Sequence, residues 1–203
     1  MRILVTNDDG IDSIGLHELA RAMTGLGHVV IVAPDREFSG AGAAVGALHE
    51  FDPVVTRREV EGVPEVWTLN GPPALCVLYA RLGLFGEPFD LVVSGINPGA
   101  NVGRSVYHSG TIGACLTARN GGIPSLAVSQ SVPRMEVEGQ GWHEMLIGQR
   151  WDSAAAVAVE AARSMLAHPA PEIGVLNLNV PNLPLDEIKG WRWTEVGHGP
   201  PQS

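Results

Sequence analysis

Lysine is almost missing from this chain: Lys189 is the only one in 203 residues. Chemistries that set a lysine beside a phosphate have almost nothing to use, which disfavours several phosphate-handling families together. Positive charge as a whole is scarce, with 13 Lys and Arg against 22 Asp and Glu and a net charge of −9. Such a surface repels the phosphates of a nucleic-acid polymer, so no polymer of that kind is expected as a partner. A small anionic substrate stays compatible if a metal supplies the positive charge. Long hydrophobic runs are also missing: none approaches the roughly 20 residues that span a bilayer. The N-terminus runs from Met1-Arg2 into a short strand and then charged residues. The chain therefore reads as cytoplasmic, with no membrane partner. Cysteine is limited to Cys76 and Cys115, each in an apolar helical segment, where a buried reduced thiol is expected rather than a ligand or a disulfide. There are no internal repeats, no obvious domain linker and no Cys/His cluster of the kind zinc requires.

Hydrophobic residues make up 45% of the chain, enough for one domain with a sizeable core. Short apolar runs alternate with helical patterns, the mark of βαβ units and a mainly parallel sheet. After Asp12-Ser13, either of which could cap a helix, Leu16, Leu19, Ala20 and Met23 fall at i, i+3, i+4 and i+7, and Gly25 and Gly27 end the pattern. Val29-Val-Ile-Val32 is a continuous apolar run, as for a strand covered on both faces. Residues 36–46 read as a loop. A β-hairpin excursion is predicted around residues 47–70, with runs at 54–60 and 66–69 turning at Glu61-Gly62. Pro72-Pro73 opens a helix of about a dozen residues, and a third parallel strand follows at 89–94. Residues 95–110 form a glycine-rich loop leading to a helix at 111–120 and a strand at 123–129. An irregular segment then runs to Gly148. The longest helix is predicted at 151–166 and a further strand at 175–180.

The polar clusters fall at the carboxyl ends of strands. Asn7-Asp8-Asp9-Gly10 follows the first, Asp35 to Ser39-Gly40 the second, and Ser94-Gly-Ile-Asn97 the third. In an open parallel sheet those ends share one edge, where ligands bind. Taken alone, Asp8-Asp9-Gly10 also fits an exposed acidic turn. Together with the Ser39 hydroxyl and the Asn97 amide carbonyl, the two carboxylates form a set of hard oxygen donors suited to Mg²⁺, Mn²⁺ or Ca²⁺. Ser109-Gly110-Thr111 opens a helix, and backbone N–H groups and hydroxyls there form an anion cradle. A divalent ion next to such a cradle suits phosphate-ester hydrolysis.

This ordered set of motifs resembles the SurE family, the survival-protein nucleotidases: Asn7 to Gly10, Ala33-Pro-Asp-Arg36 with Ser39-Gly40, Ser94 to Asn97 with Gly99 and Asn101, and Ser109 to Thr111. The match continues to Leu178-Asn-Val-Pro181 and Ile188-Lys-Gly190. The resemblance implies a Rossmann-like three-layer α/β fold over residues 1–196; the family's C-terminal extension would follow where this sequence has a short tail at 197–203, so either the protein is naturally short or the sequence is incomplete. It also implies a divalent-metal-dependent phosphatase, a 5'/3'-nucleotidase, that converts nucleoside monophosphates to nucleoside and phosphate. One divalent cation per subunit is implied, Mg²⁺ or Mn²⁺, with Ca²⁺ a further candidate in crystals. By position its ligands fall on Asp8, Asp9, Ser39 and Asn97. Asp8 and Asn97 carry the catalytic assignment, and Ser39, Gly40, Ser109, Gly110 and Thr111 the substrate and phosphate contacts. A homodimer is the expected assembly, and a higher homo-oligomer is open.

The chain departs from the family pattern in three places. Leu75 stands where an acidic residue is usual, Arg104-Ser105 where many members have two aspartates, and Ala43-Ala44 where a polar stretch is common. A degenerate member that binds metal and nucleotide without turnover, as a sensor or interaction protein, is the alternative. His108, just before the anion loop, is a candidate proton donor, with packing against the neighbouring helix the competing expectation. His17, His28, His49, His143, His168 and His198 show no metal-ligand spacing and receive no role. Trp191 and Trp193 are predicted to share one face of a strand and to be buried in a core or a subunit interface.

Other folds fit less well. A receiver domain needs an aspartate after its third strand and a lysine later, whereas here the third strand leads into Ser94-Gly-Ile-Asn97. Haloacid-dehalogenase-type phosphatases need two aspartates one residue apart, whereas Asp8 and Asp9 are adjacent. A dinucleotide module would place glycines where this chain has two acids.

Overall fold

The continuous apolar runs become strands because each is covered by helices on both faces of one sheet. In the computed structural model, which describes residues 1–50, 52–132, 146–169 and 174–197, the strands are β1 (Arg2–Thr6), β2 (His28–Pro34), β3 (Val55–Arg57), β4 (Glu65–Leu69), β5 (Leu91–Pro98), β6 (Ser125–Gln130) and β7 (Val175–Val180). Their order across the sheet is β3-β4-β2-β1-β5-β6-β7. Every pairing is parallel except β3 with β4. The helices are α1 (Ile14–Met23), α2 (Pro73–Arg81), α3 (Gly110–Asn120) and α4 (Trp151–Ala167), with 3₁₀ turns at Gly103–Tyr107 and Leu185–Glu187. Among the described residues no helix is long and apolar enough to cross a membrane.

Alternation along the central strands splits the core in two. Ile3 and Val5 of β1, Val29 and Ile31 of β2, and Leu91 and Val93 of β5 meet Leu16, Leu19, Ala20 and Met23 of α1 and the alanine face of α4. On the other side, Leu4, Val30, Val32 and Val92 meet α2 and α3 through Leu75, Cys76, Ala114 and Ala118. This is the expected three-layer α/β arrangement. Burial of each Val, Leu or Ile side chain contributes about 1.5–3 kcal/mol, and strands buried on both faces collect it from every residue. Leu75, singled out in the sequence as a departure from the family pattern, is a core residue only 1% exposed. Cys76 and Cys115 are buried free thiols, as expected. Burial pushes both thiols up, that of Cys115 to about 12.

Several elements differ in extent from the sequence reading, each for a physical reason. The hairpin belongs to the main sheet, because β4 pairs with β2 through Val30↔Glu65 to Pro34↔Leu69. Its outer strand, β3, covers only three residues and pairs with β4 alone. Helix α2 stops after nine residues at Leu82-Gly83, where Gly83 takes φ +85°. Strand β5 continues past residue 94 to Pro98, because after a register shift Asn97 and Pro98 pair with Ser129 and Gln130. Residues 191–197 form no strand, so the shared strand face expected for Trp191 and Trp193 is not present. The two rings instead meet edge to face, with centroids 5.2 Å apart, and are 78% and 73% exposed in the single chain. They are not part of this chain's core. The greater part of the irregular segment before Gly148, nearly all of the tail at 197–203, His143 and His198 lie outside the described residues.

Candidate metal centre and active site

The chain builds the sheet outward from β1 in two directions, towards β2 on one side and β5 on the other. The crevice between β1 and β5 is thus the topological switch point, where loops leave in opposite directions and open a binding site. Asp8 and Asp9 follow β1 directly, and Asn97 sits at the end of the adjacent β5.

The turn after β1 is held by its own polar groups. Asn7 Nδ2 donates to the Gly10 carbonyl at 3.0 Å, and the Ile11 N–H donates to Pro34 O at 2.9 Å. Gly10 takes φ +96°, a conformation that side chains other than glycine rarely adopt. Asp8 points into the start of α3. Its Oδ1 accepts from Thr111 Oγ1 at 2.6 Å and its Oδ2 from the Gly110 N–H at 3.1 Å. Ser109 caps the helix by accepting from the Ile112 N–H at 3.1 Å. Gly110 permits the approach, since a Cβ there would lie 2.7 Å from Asp8 Cβ and 2.8 Å from its Oδ2.

The cradle predicted for a phosphate at 109–111 therefore already holds a carboxylate of the chain itself. Asp8 is almost fully buried, and burial raises its pKa despite the hydrogen bonds from Thr111 and Gly110, which act the other way. Asp9 is pushed up to about 8 by burial first, then by the charges of Asp8 and Glu37. Its Oδ2 is buried without a hydrogen-bond partner, as is Asn7 Oδ1.

The loop after β2 reaches the same place. The Phe38 N–H donates to the Asp8 carbonyl at 2.7 Å, and the Gly42 N–H donates to the His108 carbonyl at 3.0 Å. Ser39 and Gly40 lie between these two anchors and are exposed. Ser39 Oγ donates to Glu37 Oε1 at 2.7 Å. At the end of β5, Asn97 Nδ2 donates to the carbonyls of Gly99 at 2.7 Å and Pro98 at 3.3 Å. Both of the amide's donor hydrogens are thereby directed at the backbone.

Asn101 serves the scaffold. Its Nδ2 donates to Ser129 Oγ at 2.9 Å, and its carbonyl accepts from Asn177 Nδ2 at 2.9 Å and Asn179 Nδ2 at 3.2 Å. Asn177 and Asn179, two apart on β7, escaped the sequence reading, although their period-two spacing within an apolar strand was a usable signal. Glu37 escaped it too, despite lying between Asp35 and Ser39. The His108 and Arg104 side chains are exposed, and His108 takes part through its carbonyl.

The donor chemistry fits a hard divalent cation. Two adjacent carboxylates, one buried and one half-buried with an orphaned oxygen, gain most from a positive charge. Among the described residues no three His, Cys, Asp or Glu side chains cluster into a ready-made cage. One or two carboxylates completed by neutral oxygens and water is the pattern Mg²⁺ accepts.

The sequence profile of the family described as survival protein SurE matches residues 3–202. The chain belongs to the SurE family. Among SurE relatives, the 5'-nucleotidase SurE of Aeromonas hydrophila is 40% identical over 201 residues, covering 98% of this chain and 72% of that protein. The 5'-nucleotidase SurE of Dehalococcoides mccartyi strain CBDB1 is 40% identical over 198 residues, covering 98% of this chain and 70% of that one. The crystal structure of the SurE protein from Aquifex aeolicus superposes with a TM-score of 0.75 at 36% identity, over 95% of this chain and 71% of that chain.

Proposed function

We propose that this protein is a divalent-metal-dependent phosphatase of the 5'-nucleotidase type, acting on nucleoside monophosphates. The observation that carries the reading is the Asp8-Asp9 pair at the β1/β5 crevice, in which Asp8 is bonded to the N-terminus of α3 and Asp9 keeps a buried oxygen without a partner. The names of the SurE relatives supply the substrate class. Asp8 and Asp9 would hold Mg²⁺ or Mn²⁺ together with Ser39 Oγ and Asn97 Oδ1. A cation held there would supply positive charge to the phosphoryl oxygens, for the attack of water on phosphorus with loss of the ester P–O bond.

Asp8 acts as a ligand in this reading. Hydrogen bonds from Thr111 and Gly110 fix both of its oxygens, which favours holding a cation over attacking phosphorus. Ser109 Oγ accepts from Ile112 and would use its own proton to donate to a phosphate oxygen, with Ser39 and Gly40 as further contacts. The products are the nucleoside, whose sugar oxygen leaves as a hydroxyl, and inorganic phosphate.

Residues 1–196 form the catalytic domain in this proposal. The assembly is a homodimer in the cytoplasm, with the exposed Trp191-Trp193 pair as one contact, and a dimer mass by light scattering is the expected result. For the activity, phosphate release from nucleoside monophosphates is expected only with added Mg²⁺ or Mn²⁺. Activity insensitive to EDTA would sink the metal assignment. Binding of cation and nucleotide by calorimetry without phosphate release would favour the non-catalytic alternative.

A further inference from the structure

Ser39 and Asn97 differ from the two aspartates in one respect: their polar groups carry hydrogens. A hydroxyl or an amide presents a cation with lone pairs only when those hydrogens are held elsewhere. For Asn97 the backbone does this, through the carbonyls of Gly99 and Pro98. For Ser39 a side chain does it, since Oγ donates its proton to Glu37 Oε1 at 2.7 Å. A serine oxygen whose proton is committed to a carboxylate has its lone pairs free on the opposite side. The charge of Glu37 also raises the pKa of Asp9, after burial and the charge of Asp8.

We propose that Glu37 is a positioning residue of the cation site: it holds the Ser39 hydroxyl proton, so that Ser39 Oγ turns its lone pairs towards the ion bound by Asp8 and Asp9. Groups of this outer kind commonly set metal affinity by fixing the orientation of a ligand. Glu37 is exposed, and its one described hydrogen bond is the one to Ser39, so substituting it leaves the core untouched. The inference rests on the cation reading of Asp8, Asp9, Ser39 and Asn97.

Calorimetric titration of Mn²⁺ into the full chain tests it without relying on turnover. Glu37→Ala is expected to weaken Mn²⁺ about 10-fold, the lower end of what loss of such a partner does. Glu37→Gln still offers an amide oxygen to the Ser39 proton and is expected to stay within about 3-fold of the unmodified protein. In a Ser39→Ala background, Glu37→Ala should add less than about 2-fold, because the two residues act through one contact. Equal losses for the Gln and Ala variants would mean that charge matters rather than proton acceptance, and would overturn the proposal. So would a full loss from Glu37→Ala in the Ser39→Ala background, which would mark Glu37 as an independent ligand, or no loss from Glu37→Ala at all. If the unmodified protein takes up no Mn²⁺, or Asp9→Asn binds it equally well, the cation reading itself fails.

Discussion

The half of the site built on β1 and α3 and the half built on the loop after β2 hold their polar groups in opposite ways. Asp8 is buried, and hydrogen bonds join it to residues more than a hundred positions away in the chain. Ser39 is exposed, and its bond runs to a neighbour two positions back. Asp9 lies between the two regimes, half-buried with one oxygen unpartnered. The difference teaches that one half is rigid before any ligand arrives, whereas the other is left for a cation to complete. Adjacent carboxylates withdrawn from water are costly to ionise, and that cost is what makes the place attractive to a divalent ion.

Breaking the rigid half should have the largest effect. Asp8→Asn brings an amide towards the Gly110 N–H and removes a charge. Nucleoside monophosphate hydrolysis with Mn²⁺ is expected to fall by about 10³-fold or more, the scale on which a preorganised electrostatic group acts. Steady-state kinetics check this, with circular dichroism confirming the fold. Gly110→Ala attacks the same contact from the other side by driving a methyl against Asp8. It should lower stability by about 1–3 kcal/mol, as overpacking does, and should reduce activity along with it. Thermal melting and turnover of the same sample decide the point.

Between the halves, Asp9 gives a dependence on pH. Its pKa is raised from 3.8 to about 8, so the folded protein without cation keeps a proton that the unfolded chain has released. Stability from that proton is complete below pH about 4 and is lost as pH rises towards 8. In EDTA, the melting temperature of the unmodified protein is expected to fall across this window relative to that of Asp9→Asn. Excess Mn²⁺ should remove most of the difference at pH 8. A difference of the same size with and without the ion would refute the coupling. The smallest effect is expected from His108→Ala, because the loop uses its carbonyl and its side chain is exposed. A change in kcat beyond about 3-fold would restore a proton-transfer role to the ring.

These contrasts also explain what the sequence disclosed. Periodicity is a local property, so Leu16, Leu19, Ala20 and Met23 were readable as one buried face, and the strand at 175–180 emerged with the same limits. The end of β5 was hidden because Ser94-Gly-Ile-Asn97 is polar and glycine-bearing. It counts as strand only because β6 resumes pairing after a shift in register. The proposed site was legible as a set of hard-donor residue types at strand ends. The bond between Asp8 and Thr111 was not, since no local pattern foretells a contact made by two distant segments across a crevice. It gives the expected phosphate cradle a second task, as a support for the first carboxylate. Glu37 was unread because a single charged loop residue looks the same whether it faces solvent or a ligand.

The two backbone bonds that flank Ser39, from Phe38 to Asp8 and from Gly42 to His108, make the proposed third ligand a tethered one. Between those anchors the Ala41 N–H donates to the Phe38 carbonyl at 3.1 Å, so the segment that carries Ser39 is a closed turn whose chain entropy is already largely spent. A cation already seated on the aspartates therefore meets Ser39 at a high effective concentration. That advantage comes from the shortness of the leash and needs no added attraction from the hydroxyl itself.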